Sequence, residues 1–334
     1  MKKTFIIAEI GNTHEGSLGL AKCFVKAAAN SGADAVKFQT HIFGAESLPD
    51  APNPPYFKDE TRKEYFERTA FAPEQYKELK KNAEEEHGVE FISSPFSLEA
   101  VDLLEKIGIK RYKIPSGEIT NIPLLEKVAD TKKPVLLSSG MSTWNELDRA
   151  IETLKENRCH DITILQCTSI YPCPPEKTGL NVISELKKRY NLPVGFSDHT
   201  LGFSASIGAI VLGAEVIEKH FTLSRRMYGA DAEHSLDPDE FKLLVKEIRD
   251  AEKAIYSKID KDELAKELNE MKIIFEKCIV AKRNIPKGTA ITLDMIAFKK
   301  PGNGIRADRY REVLGRITRI DIKPNTKIKK EMLE

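Results

Sequence analysis

The feature that most constrains the fold is an alternation, repeated eight times, of a short apolar run with a helical stretch. Each run is rich in β-branched residues and ends in polar or small residues, which is typical of a buried parallel strand. The segments between the runs have apolar residues at helical spacing and often finish at glycine. Eight such units in about 250 residues predict a (β/α)8 barrel. The predicted strands are FIIAEIG (5–11), AVKFQTH (35–41), EFISSPF (90–96), RYKIPSG (111–117), PVLLSSG (134–140), ITILQCTS (162–169), PVGFSDH (193–199) and VIEKHFT (216–222).

An open, doubly wound sheet shares this alternation, but two observations weigh against it. No phosphate-binding loop of the form G-x-G-x-x-G or G-x-x-x-x-G-K-[ST] follows a predicted strand. Polar residues close nearly every strand, whereas an open sheet concentrates them at a switch point. Because the carboxyl ends of barrel strands meet at one face, we expect these polar residues to form a single site.

The predicted organisation is a barrel domain (1–255), a helical linker (256–277) and a small, mostly β module (278–334). In the last segment, short apolar runs alternate with turn residues and few helical periods remain. The one long insertion follows the second strand and is rich in proline and acidic residues near its middle. Its length is typical of a binding loop, and a solvated crossover is the alternative.

Composition favours a small-molecule enzyme of the cytoplasm. The chain has 52 Lys and Arg residues and 51 Asp and Glu residues. The resulting net charge of +1 does not indicate a protein that binds nucleic acid or an anionic membrane. The apolar run at the start of the chain ends at Glu9, so it is too short for the apolar core of a signal peptide. The five cysteines include no C-x-x-C pair, which argues against a disulfide framework or a thiolate zinc site.

Two histidines are candidate metal ligands. His199 ends the seventh predicted strand and His220 nearly ends the eighth, so adjacent strands bring two imidazoles to one rim. Neutral imidazole nitrogens bind divalent ions and leave other positions for water and substrate. A single histidine is more often structural, and the pairing on neighbouring strands favours a metal site.

Two lysines and a set of hydroxyls indicate an anion site. Lys37 and Lys113 lie inside apolar strands, where an unpaired ammonium group is costly to bury. They either form structural ion pairs with Glu9 or Glu118, or they bind a phosphate or carboxylate ligand. We favour the ligand because hydroxyls recur at neighbouring strand ends. These hydroxyls belong to Ser94, Ser116, Ser138 and Ser197.

Three carboxylates, Glu9, Glu118 and Asp231, are expected on or just beyond the same face. A carboxylate beside a metal and a phosphate can orient or deprotonate water, and one beside a sugar can fix a hydroxyl. The combination indicates a reaction that joins a phosphorylated small acid to a hydroxylated carbonyl compound.

Eight motifs, in this order, resemble those of the sialic acid synthases: IAEIG-x-x-HEG, VKFQTH, FISSPFS, YKIPSGE, LLSSGMS, CTSIYPCP, GFSDHT and EKHFT. The resemblance covers essentially the whole chain, including KKPGNGI in the terminal module. It implies condensation of phosphoenolpyruvate with an N-acyl-mannosamine-type sugar to give a nine-carbon 2-keto acid. It also implies that the terminal module is an antifreeze-like (SAF) domain that covers the active site of the other subunit in a domain-swapped homodimer.

The resemblance also implies residue roles. Glu118 would lie beside the reacting carbon, and His199 and His220 would hold Mn²⁺, with Mg²⁺ or Co²⁺ as alternatives. The phosphoenolpyruvate-binding residues would be Lys37, Ser94, Lys113, Ser116, Ser138 and Ser197. The sugar-binding residues would be Glu9, Gln39, Phe57, Tyr171, Asp231 and Lys300.

Departures from the N-acetylneuraminate-forming pattern indicate a different sugar. Ser169 stands where those enzymes tend to have asparagine, and Lys300 where they have arginine. Tyr56 and Phe57 fall where an asparagine that binds a hydroxyl is expected, and an apolar ring there suits a 6-deoxy sugar. The surrounding segment resembles the legionaminic acid synthases, whose substrate is 2,4-diacetamido-2,4,6-trideoxymannose. N-Acetylneuraminate synthesis from N-acetylmannosamine is the second possibility.

Two other classes of function stay open. A class I aldolase would form a Schiff base on Lys37 or Lys113 and would need no metal. A non-catalytic sugar-binding or ice-binding protein would depend on the terminal module and would leave the polar strand ends unexplained.

Overall fold

The computed structural model describes residues 3–54 and 60–334. The chain divides into two compact units, Met1–Tyr256 and Ser257–Glu334. In the described residues no helix is both long and apolar enough to cross a bilayer.

The first unit is a closed barrel of parallel strands, β1 to β8, in which neighbours follow chain order and β8 pairs with β1. This confirms the predicted (β/α)8 fold. Chain order is kept because each strand returns to the sheet beside its predecessor through a helical connection. The strands are β1 (Phe5–Gly11), β2 (Ala35–Thr40), β3 (Glu90–Pro95), β4 (Tyr112–Ile114), β5 (Val135–Ser138), β6 (Ile162–Cys167), β7 (Val194–Asp198) and β8 (Val216–His220).

Helices surround the barrel and begin at capping residues that the sequence provides. Ser17, Ser97 and Thr143 each accept a hydrogen bond from a first-turn N–H group. These bonds satisfy donors that a helix leaves open at its start. The helices are α1 (Leu18–Asn30), α2 (Phe43–Glu46), α3 (Arg62–Thr69), α4 (Pro73–Lys81), α5 (Leu98–Ile107), α6 (Ile122–Asp130), α7 (Trp144–Glu156), α8 (Leu180–Tyr190), α9 (Ser204–Val211) and α10 (Pro238–Tyr256).

The barrel interior has an apolar layer near the amino ends of the strands and a polar layer at their carboxyl ends. Side chains alternate along a strand, so the residue two positions later faces the same interior. Ile7 is therefore followed by Glu9 and Ala35 by Lys37, so these apolar residues lie beneath charged ones. The apolar layer is Ile7, Ala35, Ile92, Leu136, Leu165 and Val216.

The second unit is small and contains an antiparallel pair, β9 (Cys278–Ala281) and β10 (Ile296–Lys299). Isolated bridges and short turns make up much of the remainder. Two helices, α11 (Lys261–Glu267) and α12 (Asn269–Phe275), precede β9. The unit has its own apolar core, formed by Ile279, Ile291, Ile296, Val313, Ile328 and Leu333.

Gly195 in β7 tests the packing of the apolar layer. A Cβ atom there would lie 2.5 Å from Leu165 Cδ2 and 2.7 Å from Val216 Cβ, closer than these atoms can approach. Gly195→Ala is expected to lower the free energy of unfolding by about 1–3 kcal/mol through overpacking. Urea unfolding measures this loss. Gly202→Ala is the matched control because an added Cβ meets no described atom within 4 Å, and equal losses in both variants would contradict the packing argument.

Candidate active site

Two buried lysines lie in the polar layer, and carboxylates from other strands neutralise them. Lys37 Nζ lies 2.9 Å from Glu9 Oε2 and 3.6 Å from Glu218 Oε1. Lys113 Nζ donates to the same Glu218 oxygen at 2.8 Å, and Ser197 Oγ donates to it at 3.0 Å. All four charged side chains are at most 5% exposed. They form a neutral buried cluster, since burial of an ammonium group requires a partner.

The ion pairs only partly match the partners that the sequence offered. Glu9 does pair with Lys37, but Glu118 accepts from Asn121 Nδ2 at 2.7 Å, and Lys113 pairs with Glu218 instead. Sequence reasoning missed Glu218. The sequence feature that could have found it is a carboxylate inside an apolar strand, two positions before the candidate metal ligand His220. Because side chains alternate along a strand, Glu218 and His220 face the same interior.

Burial and the opposite charges act against each other in this cluster. Burial raises the pKa of Glu9, and Lys37 only partly offsets this rise. Burial also disfavours the charged form of Glu218, but Lys113 and Lys37 outweigh it and lower the pKa of that carboxyl group. For Lys37, the two carboxylates outweigh burial and raise the pKa. Lys37 and Glu218 are therefore charged near neutral pH, whereas burial, only partly offset by Glu218, lowers the pKa of Lys113.

Hydroxyl groups and a glycine turn lie at the same carboxyl end of the barrel as the lysines. Ser94 Oγ is buried and has no hydrogen-bond partner in the described residues. Ser116 Oγ accepts from the Gly140 N–H at 3.0 Å. A Cβ at Gly140 would lie 2.7 Å from Ser116 Oγ and 2.5 Å from Ser169 Oγ, so a larger residue would fill this turn. The predicted anion-binding serines lie at or just after strand ends, Ser94 on β3, Ser116 after β4, Ser138 on β5 and Ser197 on β7.

His199 and His220 lie together, with ring centres 5.6 Å apart. His199 Nδ1 donates to the Thr168 carbonyl at 2.8 Å, so the lone pair is on Nε2. His220 Nδ1 is buried and has no hydrogen-bond partner among residues 3–54 and 60–334. Burial lowers the pKa of His199 to about 4 and that of His220 well below its usual value. Both rings are neutral at pH 7, which is the form that binds metal.

The two imidazoles fit a divalent ion that takes its other ligands from substrate and water. An orphaned buried ring nitrogen and a second ring with a fixed tautomer are the features that such a ligand pair needs. Within the described residues no group of three or more His, Cys, Asp or Glu side chains is placed to hold a metal. His199 and His220 are thus the candidate protein ligands among the residues that the structure describes.

Three of the predicted sugar-binding side chains meet around Gly11, where β1 ends. A Cβ atom at Gly11 would lie 2.9 Å from Asp231 Oδ2, 3.5 Å from Gln39 Nε2 and 3.6 Å from Glu9 Oε1. Gly11 also has a φ of 56°, which favours glycine. Gln39 Nε2 donates to Glu9 Oε1 at 2.9 Å. The geometry thus groups one amide and two carboxyl groups, a set that can bind several hydroxyls.

Tyr171 and Glu118 lie on the same face of the barrel. The centre of the Tyr171 ring is 4.3 Å from that of His199. Glu118 ends a short turn that begins at Ser116, one of the predicted anion-binding residues. Burial raises the pKa of Glu118, so this carboxyl group exchanges a proton closer to neutral pH than an exposed one.

Two predicted sugar-binding residues are not brought to this site by the described structure. Phe57, with its neighbour Tyr56, lies outside the described residues. Lys300 belongs to the second unit, where its Nζ lies 4.8 Å from the centre of the Phe275 ring. Their contact with the sugar stays a prediction.

Asp231 provides a pH test of the site. Burial, with Glu9 adding to it, raises the pKa of Asp231 to about 7. Because the folded pKa lies above the unfolded one, ionisation of Asp231 opposes folding; the penalty is complete above pH 7 and shrinks as the pH falls toward 4. Asp231→Asn is expected to stabilise the EDTA-treated protein by about 1–2 kcal/mol at pH 8 and by less at pH 5.

Urea unfolding at the two pH values measures the difference. We expect less than the full shift because the Asp231 side chain is 23% exposed. Asp130→Asn is the matched control, since the Asp130 side chain is 75% exposed. An advantage of Asp231→Asn that does not change with pH would contradict the raised pKa.

Comparison with protein-family models gives two matches. Residues 24–260 match the NeuB family, and residues 276–334 match the SAF domain. The first match includes seven of the eight barrel strands, β2 to β8. The second coincides with the small β module and confirms the predicted SAF domain.

Individual proteins agree with the family match. The chain is 42% identical to N,N'-diacetyllegionaminic acid synthase from Campylobacter jejuni, over 95% of this chain and 96% of that protein. It is 38% identical to human N-acetylneuraminate-9-phosphate synthase, over 88% and 82% of the two chains. The crystal structure of N-acetylneuraminic acid (sialic acid) synthetase from Leptospira borgpetersenii superposes with a TM-score of 0.70 at 32% identity, covering 81% of this chain and 93% of that one. The chain therefore belongs to the NeuB family and is an enzyme of the nonulosonic acid synthase type.

Proposed function

We propose that the protein condenses phosphoenolpyruvate with 2,4-diacetamido-2,4,6-trideoxymannose and water to give N,N'-diacetyllegionaminate and phosphate. The observation that carries this proposal is the shared interior of two buried lysines and two neutral histidines at the carboxyl end of the barrel. The lysines suit a small polyanion, and the histidines suit a divalent ion beside it. The Campylobacter relative, named for the same product, supports the choice of sugar.

Phosphoenolpyruvate would bind where the lysines and serines converge. Lys37 and Lys113 would contact its phosphate and carboxylate, and the partnerless Ser94 hydroxyl would gain an acceptor. Glu218 already holds both ammonium groups, so they are oriented before the substrate arrives. Such preorganisation avoids paying for reorientation during the reaction.

His199 and His220 would hold the divalent ion, with Mn²⁺ preferred and Mg²⁺ or Co²⁺ as alternatives. When bound there, such an ion supplies Lewis-acid polarisation of the sugar aldehyde. The hydrogen bond from His199 to Thr168 fixes the ring so that Nε2 faces away from that carbonyl.

The protein's own groups would then position the reacting atoms. Glu9, Gln39 and Asp231 would bind the open-chain sugar so that its aldehyde carbon lies near C3 of phosphoenolpyruvate. When C3 attacks that carbon, the C2=C3 π electrons form the new carbon–carbon bond, and the aldehyde oxygen takes up a proton to become a hydroxyl. A water that Glu118 orients adds to the positive C2 and loses a proton. The C2–O bond to phosphate then breaks with its electron pair leaving on phosphate, the C2 hydroxyl loses its proton to form the ketone, and Lys37 and Lys113 stabilise the departing phosphate.

Two of the alternatives fit the site less well. A Schiff-base aldolase needs a neutral amine, whereas Glu218 and Glu9 raise the pKa of Lys37 and keep it charged. Burial lowers the pKa of Lys113, but its Nζ is held by the Glu218 carboxylate at 2.8 Å and is not free to attack a carbonyl carbon. A binding protein built on the terminal module has no use for the buried charge cluster of the barrel. N-Acetylneuraminate synthesis is the second candidate, because the human relative at 38% identity is named N-acetylneuraminate-9-phosphate synthase.

We also propose that the protein forms the domain-swapped homodimer that the family resemblance implies.

Phosphate release by the purified protein tests the reaction. With phosphoenolpyruvate and Mn²⁺, we expect release with the 2,4-diacetamido-6-deoxy sugar at a kcat/KM at least tenfold above that with N-acetylmannosamine, a difference of about 1.4 kcal/mol in transition-state binding. EDTA is expected to abolish release, and added Mn²⁺ to restore it. Preference for N-acetylmannosamine would support the second candidate, and EDTA-resistant release would contradict the metal site.

Metal binding can be measured without turnover. His199→Ala and His220→Ala are each expected to weaken Mn²⁺ binding at least tenfold, because each removes one of two protein ligands. Electron paramagnetic resonance of free Mn²⁺ gives the affinity directly. His160→Ala is the matched control since His160 is exposed. Wild-type affinity in both site variants would show that the metal, if bound, lies elsewhere.

A further inference from the structure

His41 follows the last residue of β2, and the proposed reaction assigns it no role. Its ring is buried and stacks between Phe66 and Phe96, with centre distances of 3.7 Å and 4.0 Å and interplanar angles of 9° and 22°. Phe66 belongs to α3 in the insertion after β2, and Phe96 follows β3. A phenyl ring would fill the same space at a lower desolvation cost. Packing alone therefore does not explain why this residue is a histidine, and the two ring nitrogens must account for it.

Both ring nitrogens are hydrogen-bonded. Nδ1 lies 2.8 Å and 3.0 Å from the two carboxylate oxygens of Glu46, and Nε2 lies 3.1 Å from Gln39 Oε1. The Glu46 side chain is only 7% exposed, so the pair is buried together. One ring thus connects the insertion, through Glu46 on α2, with an amide in the active site.

The direction of each hydrogen bond follows from its partners. Gln39 donates its amide N–H to Glu9, whose other carboxylate oxygen is paired with Lys37. The Gln39 oxygen must then face His41 and accept a hydrogen bond from Nε2–H. On the other side of the ring Nδ1 faces the Glu46 carboxyl group; burial lowers the pKa of His41, and the contact with Glu46 partly offsets this.

This arrangement selects one of the two amide orientations of Gln39. An amide can rotate by half a turn with little steric change, which exchanges its donor and its acceptor. Gln39 is the one residue of β2 that is not fully buried, so its amide is the part of the strand that a ligand can reach. With the oxygen held by His41, the accessible group is the NH₂ donor.

We propose that His41, supported by Glu46, is a positioning residue that fixes the Gln39 amide with its NH₂ group toward the bound sugar and toward Glu9. The inference rests on the proposed function for the identity of the sugar, but the orientation itself does not. A sugar hydroxyl or acetamido oxygen is the acceptor that such a fixed donor would recognise.

Nuclear magnetic resonance tests the orientation without substrate. The chain contains three glutamines, Gln39, Gln75 and Gln166, so selective ¹⁵N-glutamine labelling gives three side-chain amide signals, and Gln39→Glu identifies one of them. His41→Phe keeps a stacking ring but removes both hydrogen bonds. We expect the Gln39 amide signals to shift and to exchange faster with water, while those of Gln75 and Gln166 stay in place. An unchanged Gln39 signal would overturn the proposal.

A double-mutant cycle tests the consequence for the sugar. His41→Phe is expected to raise KM for the sugar about tenfold and to leave KM for phosphoenolpyruvate within twofold. If His41 acts through Gln39, adding His41→Phe to Gln39→Ala causes little further loss, because the group it positions is absent. Independent, multiplying losses would overturn the proposal.

A matched control separates positioning from stability. Phe96→Leu alters the ring stack but keeps the hydrogen bonds of His41, so KM for the sugar should stay within twofold of wild type. A loss in His41→Phe that comes with a lowered melting temperature and a raised KM for both substrates would indicate a structural role and overturn the proposal. If the wild-type protein releases no phosphate with any sugar, the proposed function fails, whereas the amide signals still decide the orientation.

Discussion

Burial of two ammonium groups inside a barrel is the constraint on which the active site depends. Lys37 and Lys113 cannot be placed there unless carboxylates accompany them, and Glu9 and Glu218 supply the opposite charge. One oxygen of Glu218 contacts both lysines and the Ser197 hydroxyl. The cluster is neutral without ligand, so its stability does not require a bound anion. Its positive members are nevertheless fixed in direction, which is what an incoming phosphate needs.

This cluster can exist because the layer beneath it is apolar. Strand periodicity places Glu9 two residues above Ile7, Lys37 above Ala35 and Glu218 above Val216. Water is thereby excluded from below, and the charges face the open, carboxyl end of the barrel. The low polarisability of that surrounding strengthens each ion pair and also makes any missing partner costly. The same arrangement of an apolar layer beneath a charged layer thus stabilises the barrel and positions the charged groups of the site.

The sequence predicted the barrel and the histidine pair because both follow from local order: an eightfold alternation of strand and helix, and histidines at the ends of adjacent strands. It did not predict Glu218 as the partner of Lys113, because their strands β4 and β8 are not neighbours and the pair forms across the interior. His41 was also missed as a site residue. Its role depends on Phe66, Phe96 and Glu46, which come from three separate segments, and no spacing in the sequence connects them.

The polar contacts form one continuous series across the site. From Glu46 it passes through His41 and Gln39 to Glu9, and then through the remaining charged residues of the cluster, Lys37, Glu218 and Lys113. In the proposed reaction the inner part of this series would meet phosphoenolpyruvate, and a change there would remove a buried charge from its partner. The outer part meets the insertion after β2. Differences in sugar preference are therefore expected to arise at the outer end, where a change can re-aim the Gln39 donor without removing a buried charge from its partner.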